Sequence, residues 1–144
     1  MSLTREQRDR LVAAARAVRE NAYAPASKFL VGASLLTSDD RVFVGCNVEN
    51  ASYGLTICAE RAAICAAIAQ GARKVLAVAV ATDLDEPARP CGACRQVLAE
   101  FGADMQVLLV GRGAEVVVMT LAQLLPEPFT FGGAGTNNGD GVGQ

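Results

Sequence analysis

Two short segments carry residue types that could hold a metal ion: Cys58-Ala59-Glu60 and Pro90-Cys91-Gly92-Ala93-Cys94. Each opens an alanine-rich stretch of helical periodicity directly after a loop, which predicts thiols at two helix N-termini. Free N–H groups and the positive end of the helix dipole lower a thiol's pKa there and favour thiolate, the form that binds metal. A C-x-x-C turn brings two sulfurs towards one point, and Cys58 from the other helix start supplies a third. Catalytic zinc takes three protein ligands and keeps a fourth position for water. Glu60, two residues after Cys58, falls in the first helical turn. Its carboxylate can face the metal without binding it and accept a proton from a water whose pKa zinc lowers to about 7.

Plainer uses of the same residues stand beside this one. A C-x-x-C pair alone serves as a redox couple or as half of a closed structural zinc site. The closed site needs a fourth ligand, and with histidine absent only Cys46 or Cys65 is spare. Cys58-Ala59-Glu60 alone could occur in any alanine-rich helix. The conjunction of the two segments, with Pro90 ahead of Cys91, is what points to a catalytic ion. Cys46 and Cys65 are read as buried small hydrophobes.

The elements that must position these residues follow from periodicity and turn chemistry. Thr4 to Asn21 predicts an amphipathic helix with capping-box spacing at Thr4 and Gln7. Ala24-Pro25-Ala26-Ser27 breaks it. Phe29 to Thr37 and Val42 to Val48 predict a hairpin about Ser38-Asp39-Asp40, and Asn50 to Thr56 a loop. Cys58 to Gln70 predicts a helix ended by Gly71. Lys74 to Thr82, a Val/Ala run too apolar for a surface strand, predicts a strand covered on both faces. Asp83 to Pro90 is a loop, and Cys91 to Phe101 a second helix. Met105 to Val110 and Glu115 to Met119 are strands whose short Gly111-Arg112-Gly113 connection requires them to be antiparallel. Thr120 caps a short helix to Leu125. The order predicts an α/β fold, a mixed sheet of five strands covered by helices.

The chain has 144 residues, 51% of them hydrophobic, and a formal charge of −2. That length suits one domain with a real core. We expect residues 1–131 to form it and residues 132–144, rich in glycine, to be a flexible tail. The charge balance offers little to a phosphate backbone, so nucleic acid is not an expected partner. No stretch of about 20 apolar residues predicts a membrane span. The charged N-terminus does not read as a secretory signal, and the odd number of cysteines does not read as a disulfide framework, which together predict a cytoplasmic protein with reduced thiols.

Four stretches in the same order resemble the small homotetrameric cytidine deaminases, over about Thr4 to Phe131. They are Ser27 to Ala33, Gly45 to Gly54, Cys58 to Arg61 and Pro90 to Gln96. The resemblance implies a three-layer cytidine-deaminase-like fold and one Zn²⁺ per subunit on Cys58, Cys91 and Cys94. It also implies hydrolytic deamination of free cytidine and deoxycytidine with Glu60 moving the protons. By the same resemblance Phe29 stacks near the pyrimidine, Asn47 and Glu49 bond the ribose hydroxyls, and Ala59 belongs to the substrate site. Ala51 and Tyr53 reach a neighbour's site in the tetramer. Phe129 matches an aromatic that closes over a site across an interface, or is an ordinary core aromatic. Ala26 stands where the family often has Tyr, and Leu30 where Pro is usual, so the base pocket is expected to differ in shape. A related aminopyrimidine nucleoside, such as a blasticidin-type antibiotic, is the alternative substrate. Three thiolates leave one excess negative charge around Zn²⁺. Arg61 is expected to offset it by donating hydrogen bonds to the sulfurs, with the two helix N-termini and Arg95 assisting; Arg95 could equally be a surface residue.

Overall fold

A computed structural model describes residues 2–131; the expected glycine-rich tail lies outside them. The elements run α1 (Arg5–Arg19), β1 (Gly32–Thr37), β2 (Val42–Cys46), a 3₁₀ turn (Tyr53–Leu55), α2 (Ala59–Ala69), β3 (Val75–Ala81), α3 (Gly92–Ala99), β4 (Gln106–Val110), β5 (Val116–Thr120) and α4 (Leu121–Leu124). The strands form one sheet in the order β2-β1-β3-β4-β5. β3 and β4 are parallel, joined by the α3 crossover, and every other pair is antiparallel, including the last two strands. The expected mixed five-stranded α/β fold is observed.

Alternation along β3 sorts the sheet into two faces. Val78 and Val80 join Ala59, Ala63 and Ala67 of α2, Leu98 of α3 and Leu121 of α4 in one core. Ala77, Ala79 and Ala81 join Leu11 and Ala15 of α1 in the other. Helices therefore cover both faces, which makes three layers and buries β3 on both sides. The small residues of α2 let its backbone lie close on the sheet. A Cβ added at Gly45 of β2 would stand 2.3 Å from the Ala63 nitrogen.

Local signals behave as chemistry dictates. Thr4 and Gln7 form the capping box of α1, and Thr120 and Gln123 form another on α4. Gly71 follows α2 at φ +91°, the left-handed conformation a helix stop requires. The first strand is shorter than expected. Asn47 N–H still donates to Val31 O at 3.2 Å, but Val31 N–H donates to the Asn47 side-chain Oδ1 at 2.8 Å, so a side chain takes one of the two ladder bonds before Gly32. β2 likewise ends at Cys46, and Val48 makes only isolated bridges to Tyr23 and Ile57. The expected loop from Asn50 to Thr56 contains the 3₁₀ turn. Cys65 is exposed on the outer side of α2 and Cys46 is half-buried, which corrects their reading as buried core. The inner face of α2 is taken by Ala59, Ala63 and Ala67, so Cys65 faces outward. Among the described residues no helix is long and apolar enough to cross a membrane.

Candidate active site and metal centre

Both thiol segments sit at helix starts. Cys58 is the N-cap of α2 and Cys91 that of α3, each in extended backbone, and Cys94 lies in the first turn of α3. α2 and α3 pack side by side on one face of the sheet, which brings the Sγ atoms of Cys58, Cys91 and Cys94 within 4.8 Å of one another. Three sulfurs around zinc at about 2.3 Å stand roughly 3.8 Å apart, so a small adjustment closes them on the ion. Among the described residues no fourth His, Cys, Asp or Glu joins the group. The donor set therefore fits a catalytic zinc with one open position and does not fit a closed structural site.

Glu60 lies against this trio and is only 5% exposed. Burial pushes its carboxyl above the usual range, while its own backbone N–H, the Cys94 thiol and the Arg61 charge pull the other way. The thiols divide unequally. Burial opposes ionisation of Cys91, yet hydrogen bonds from the Cys94 N–H and from the Cys94 and Cys58 thiols bring it below the ordinary value. Burial, then the Glu60 charge, push Cys94 up. The surroundings thus favour thiolate at Cys91 and oppose it at Cys94, where a bound cation would supply the opposite charge.

Arg61 donates from Nη2 to Cys58 Sγ at 3.3 Å. That hydrogen bond is the main reason its guanidinium holds its proton even more firmly than usual. Its Nε is buried with no hydrogen-bond partner among the described residues. The guanidinium charge therefore lies against the Cys58 sulfur. Arg95 is different. Its Nε donates to Pro90 O and its Nη1 to Leu124 O, each at 2.8 Å. It braces the loop before Cys91 against the end of α4, so its expected help with the sulfurs is replaced by work on backbone carbonyls.

The remaining predicted residues are placed as follows. Asn47 is buried, accepting from Val31 N–H and donating from Nδ2 to Phe29 O at 2.8 Å. Glu49 Oε1 accepts from the backbone N–H groups of Ala26 at 2.8 Å and Ser27 at 3.2 Å, and Oε2 accepts from the Ser27 hydroxyl. Both side chains thus hold the Phe29 segment before they meet any ligand. Phe29 is 38% exposed. The Ala59 side chain is fully buried in the core, so only its backbone N–H, in the free first turn of α2, is left to face a ligand. Ala51 is exposed, and Tyr53, in the 3₁₀ turn, is 78% exposed. Phe129 is exposed rather than a core aromatic; its ring packs edge-on to Phe131 at 6.0 Å and its carbonyl accepts from Gln96 Nε2 at 2.9 Å. Ser27 was not singled out by the sequence. Its spacing two residues before Phe29, whose N–H it accepts at 3.0 Å, is the local serine signal that could have shown it. A hollow of 260 Å³ lined by Thr4, Gln7, Arg10, Ser38 and Asp40 shares no residue with this site.

Three thiols at two helix starts beside a buried carboxylate, on a three-layer α/β scaffold, define a zinc-dependent hydrolytic enzyme site. Residues 5–110 match the family model described as the cytidine and deoxycytidylate deaminase zinc-binding region, and the chain belongs to that family. It is 49% identical over 124 residues to the cytidine deaminase of Halalkalibacterium halodurans, covering 85% of this chain and 94% of that one. It is 46% identical over 123 residues to the cytidine deaminase of Sporosarcina psychrophila, covering 85% and 90%. The crystal structure of cytidine deaminase from Burkholderia pseudomallei superposes with a TM-score of 0.81 at 48% identity, over 88% of this chain and all of that one.

Proposed function

We propose that this chain is a cytidine deaminase that hydrolyses free cytidine and deoxycytidine to uridine and deoxyuridine, with release of ammonia. The observation that carries the reading is the Cys58–Cys91–Cys94 trio with Glu60 buried against it and no fourth ligand among the described residues. Zinc held by Cys58, Cys91 and Cys94 would supply the Lewis acidity that makes a water nucleophilic near neutral pH. Glu60 accepts a proton from the attacking water and delivers it to N3 of the pyrimidine as oxygen adds to C4. Glu60 then carries the second proton to the amino group, which leaves as ammonia, and C4 becomes a carbonyl. Burial holds its carboxyl above the usual range, which favours uptake of a proton. The Arg61 charge on Cys58 offsets the excess negative charge of three thiolates.

Hydrogen-bond capacity supports the sugar assignment. An amide offers two N–H donors and two acceptor positions, and a carboxylate about four acceptor positions. After their contacts with the Phe29 segment, Asn47 keeps one N–H and one acceptor position on Oδ1, and Glu49 keeps one acceptor position on Oε2. The Asn47 N–H and the Glu49 acceptor position together serve a hydroxyl that both accepts and donates. A 3′-hydroxyl fits that demand and a 2′-hydroxyl is not needed, which suits both nucleosides. Phe29 is then the stacking surface for the base, with Ala26 and Leu30 shaping its surroundings. Tyr53, Leu55, Ile57 and Phe129 are all exposed on the isolated chain. Apolar surface of that kind near a small site favours a homotetramer whose members complete one another's sites, with Ala51, Tyr53 and Phe129 as the shared residues. Residues 1–131 then act as one catalytic domain, working in the cytoplasm in pyrimidine salvage. Zinc quantification together with a cytidine absorbance assay tests the reading. Glu60→Gln keeps zinc and loses activity by about a thousandfold; normal turnover in that variant would remove Glu60 from the mechanism.

A further inference from the structure

The turn that carries Phe29 is tied down by one small side chain. Ser27 Oγ accepts from Phe29 N–H at 3.0 Å, so its own proton is directed to Glu49 Oε2. Lys28 between them adopts φ +61°. This left-handed kink folds the chain back, so that the Ser27 hydroxyl meets the N–H two residues on. Both backbone donors to Glu49, from Ala26 and Ser27, bind the same oxygen, Oε1. They anchor Oε1 and do not bond Oε2. Oε2 instead accepts from the Ser27 hydroxyl.

We propose that Ser27 is a positioning residue for the sugar. Its hydroxyl, donating to Oε2 while the backbone holds Oε1, completes the clamp on the Glu49 carboxylate so that the last acceptor position on Oε2 meets the substrate hydroxyl. The inference rests on the proposed sugar role of Glu49 and adds the group that orients it. The same hydrogen bond is the main reason the Glu49 carboxyl is held below the usual range, which keeps it an acceptor throughout the working pH range. Among the described residues Ser27 makes no hydrogen bond to the thiol trio, and it is exposed, so its removal leaves the core and the ligands in place.

The test compares the zinc-loaded wild type, Ser27→Ala and Ser27→Thr on cytidine and on 3′-deoxycytidine, which lacks the hydroxyl that Glu49 would accept. In Ser27→Ala the ratio of kcat/KM for cytidine to that for 3′-deoxycytidine falls about tenfold, the cost of one misaligned charged hydrogen bond. The loss on cytidine lies in KM rather than kcat, and Ser27→Thr, which retains a hydroxyl, recovers most of it. The ratio is internal to each preparation, so partial unfolding does not imitate the effect. A ratio unchanged by Ser27→Ala, or equal losses on both substrates, overturns the proposal while the role of Glu49 stands. If the wild type treats the two substrates alike, Glu49 does not read that hydroxyl, and the inference falls together with the reading beneath it.

Discussion

Gly45→Ala measures how tightly the metal ligands depend on the approach of α2 to the sheet. The added Cβ would lie 2.3 Å from the Ala63 nitrogen, 2.7 Å from the Ala59 oxygen and 2.8 Å from the Ala62 carbonyl carbon. All three are backbone atoms, so no side chain can swing aside. Ordinary contact begins at 3.4 Å, and α2 must retreat locally by about 1 Å in a close-packed interior. Overpacking of this kind costs about 1–3 kcal/mol, a fall in Tm of about 3–10 °C for a chain of this size. The retreat is also unequal. Cys58 and Glu60 ride on the moved end of α2, while Cys91 and Cys94 stay with α3. A displacement of about 1 Å at reacting groups lowers turnover about a hundredfold. Thermal melting, zinc titration against a competing chelator and cytidine turnover report the three effects. Gly113→Ala, whose Cβ meets nothing within 4 Å, is the control. A Gly45→Ala protein with wild-type zinc affinity and kcat would refute the argument that this contact sets the ligand geometry.

Two further outcomes follow from the charges at the site. Arg61→Gln removes the cation from Cys58 Sγ; turnover falls and the pH–rate profile moves to higher pH, whereas an unmoved profile counts against charge compensation. Burial raises the folded-state pKa of Glu60 above its ordinary 4.5, so its protonated form is the one the fold favours. That contribution is complete below the unfolded value and is lost as pH rises through the raised folded one. In protein stripped of zinc, Glu60→Gln therefore melts above the wild type at pH of about 7, and the gap closes near pH 4. Parallel melting curves across that range contradict the sign.

Much of this was legible in the chain because it is written in short spacings. The Thr4–Gln7 cap, the Gly71 stop, the hairpin turn and the thiols at two loop–helix junctions each depend on neighbours within a few residues. What could not be read depends on partners distant in sequence. Glu49 meets Ala26 and Ser27, and Asn47 meets Phe29 and Val31, only because β1 and β2 bring the two segments together. Nothing local marked those side chains as holding backbone. Arg95 follows a ligand directly, yet its Nη1 reaches Leu124, across the interface of α3 and α4. Cys65 looked like core because the helix around it is apolar. Ala59, Ala63, Ile64 and Ala67 supply the buried apolar face, and that choice of face is decided by packing on the sheet.

Cys58 precedes α2, and Cys91 and Cys94 open α3. An ion gripped by all three is therefore a cross-link that closes the chain around the whole of α2 and β3. Such a closure takes freedom from the unfolded chain that the metal-free protein retains. Metal supply then governs the lifetime of the folded molecule as well as its turnover, and starvation for zinc would deplete the protein itself.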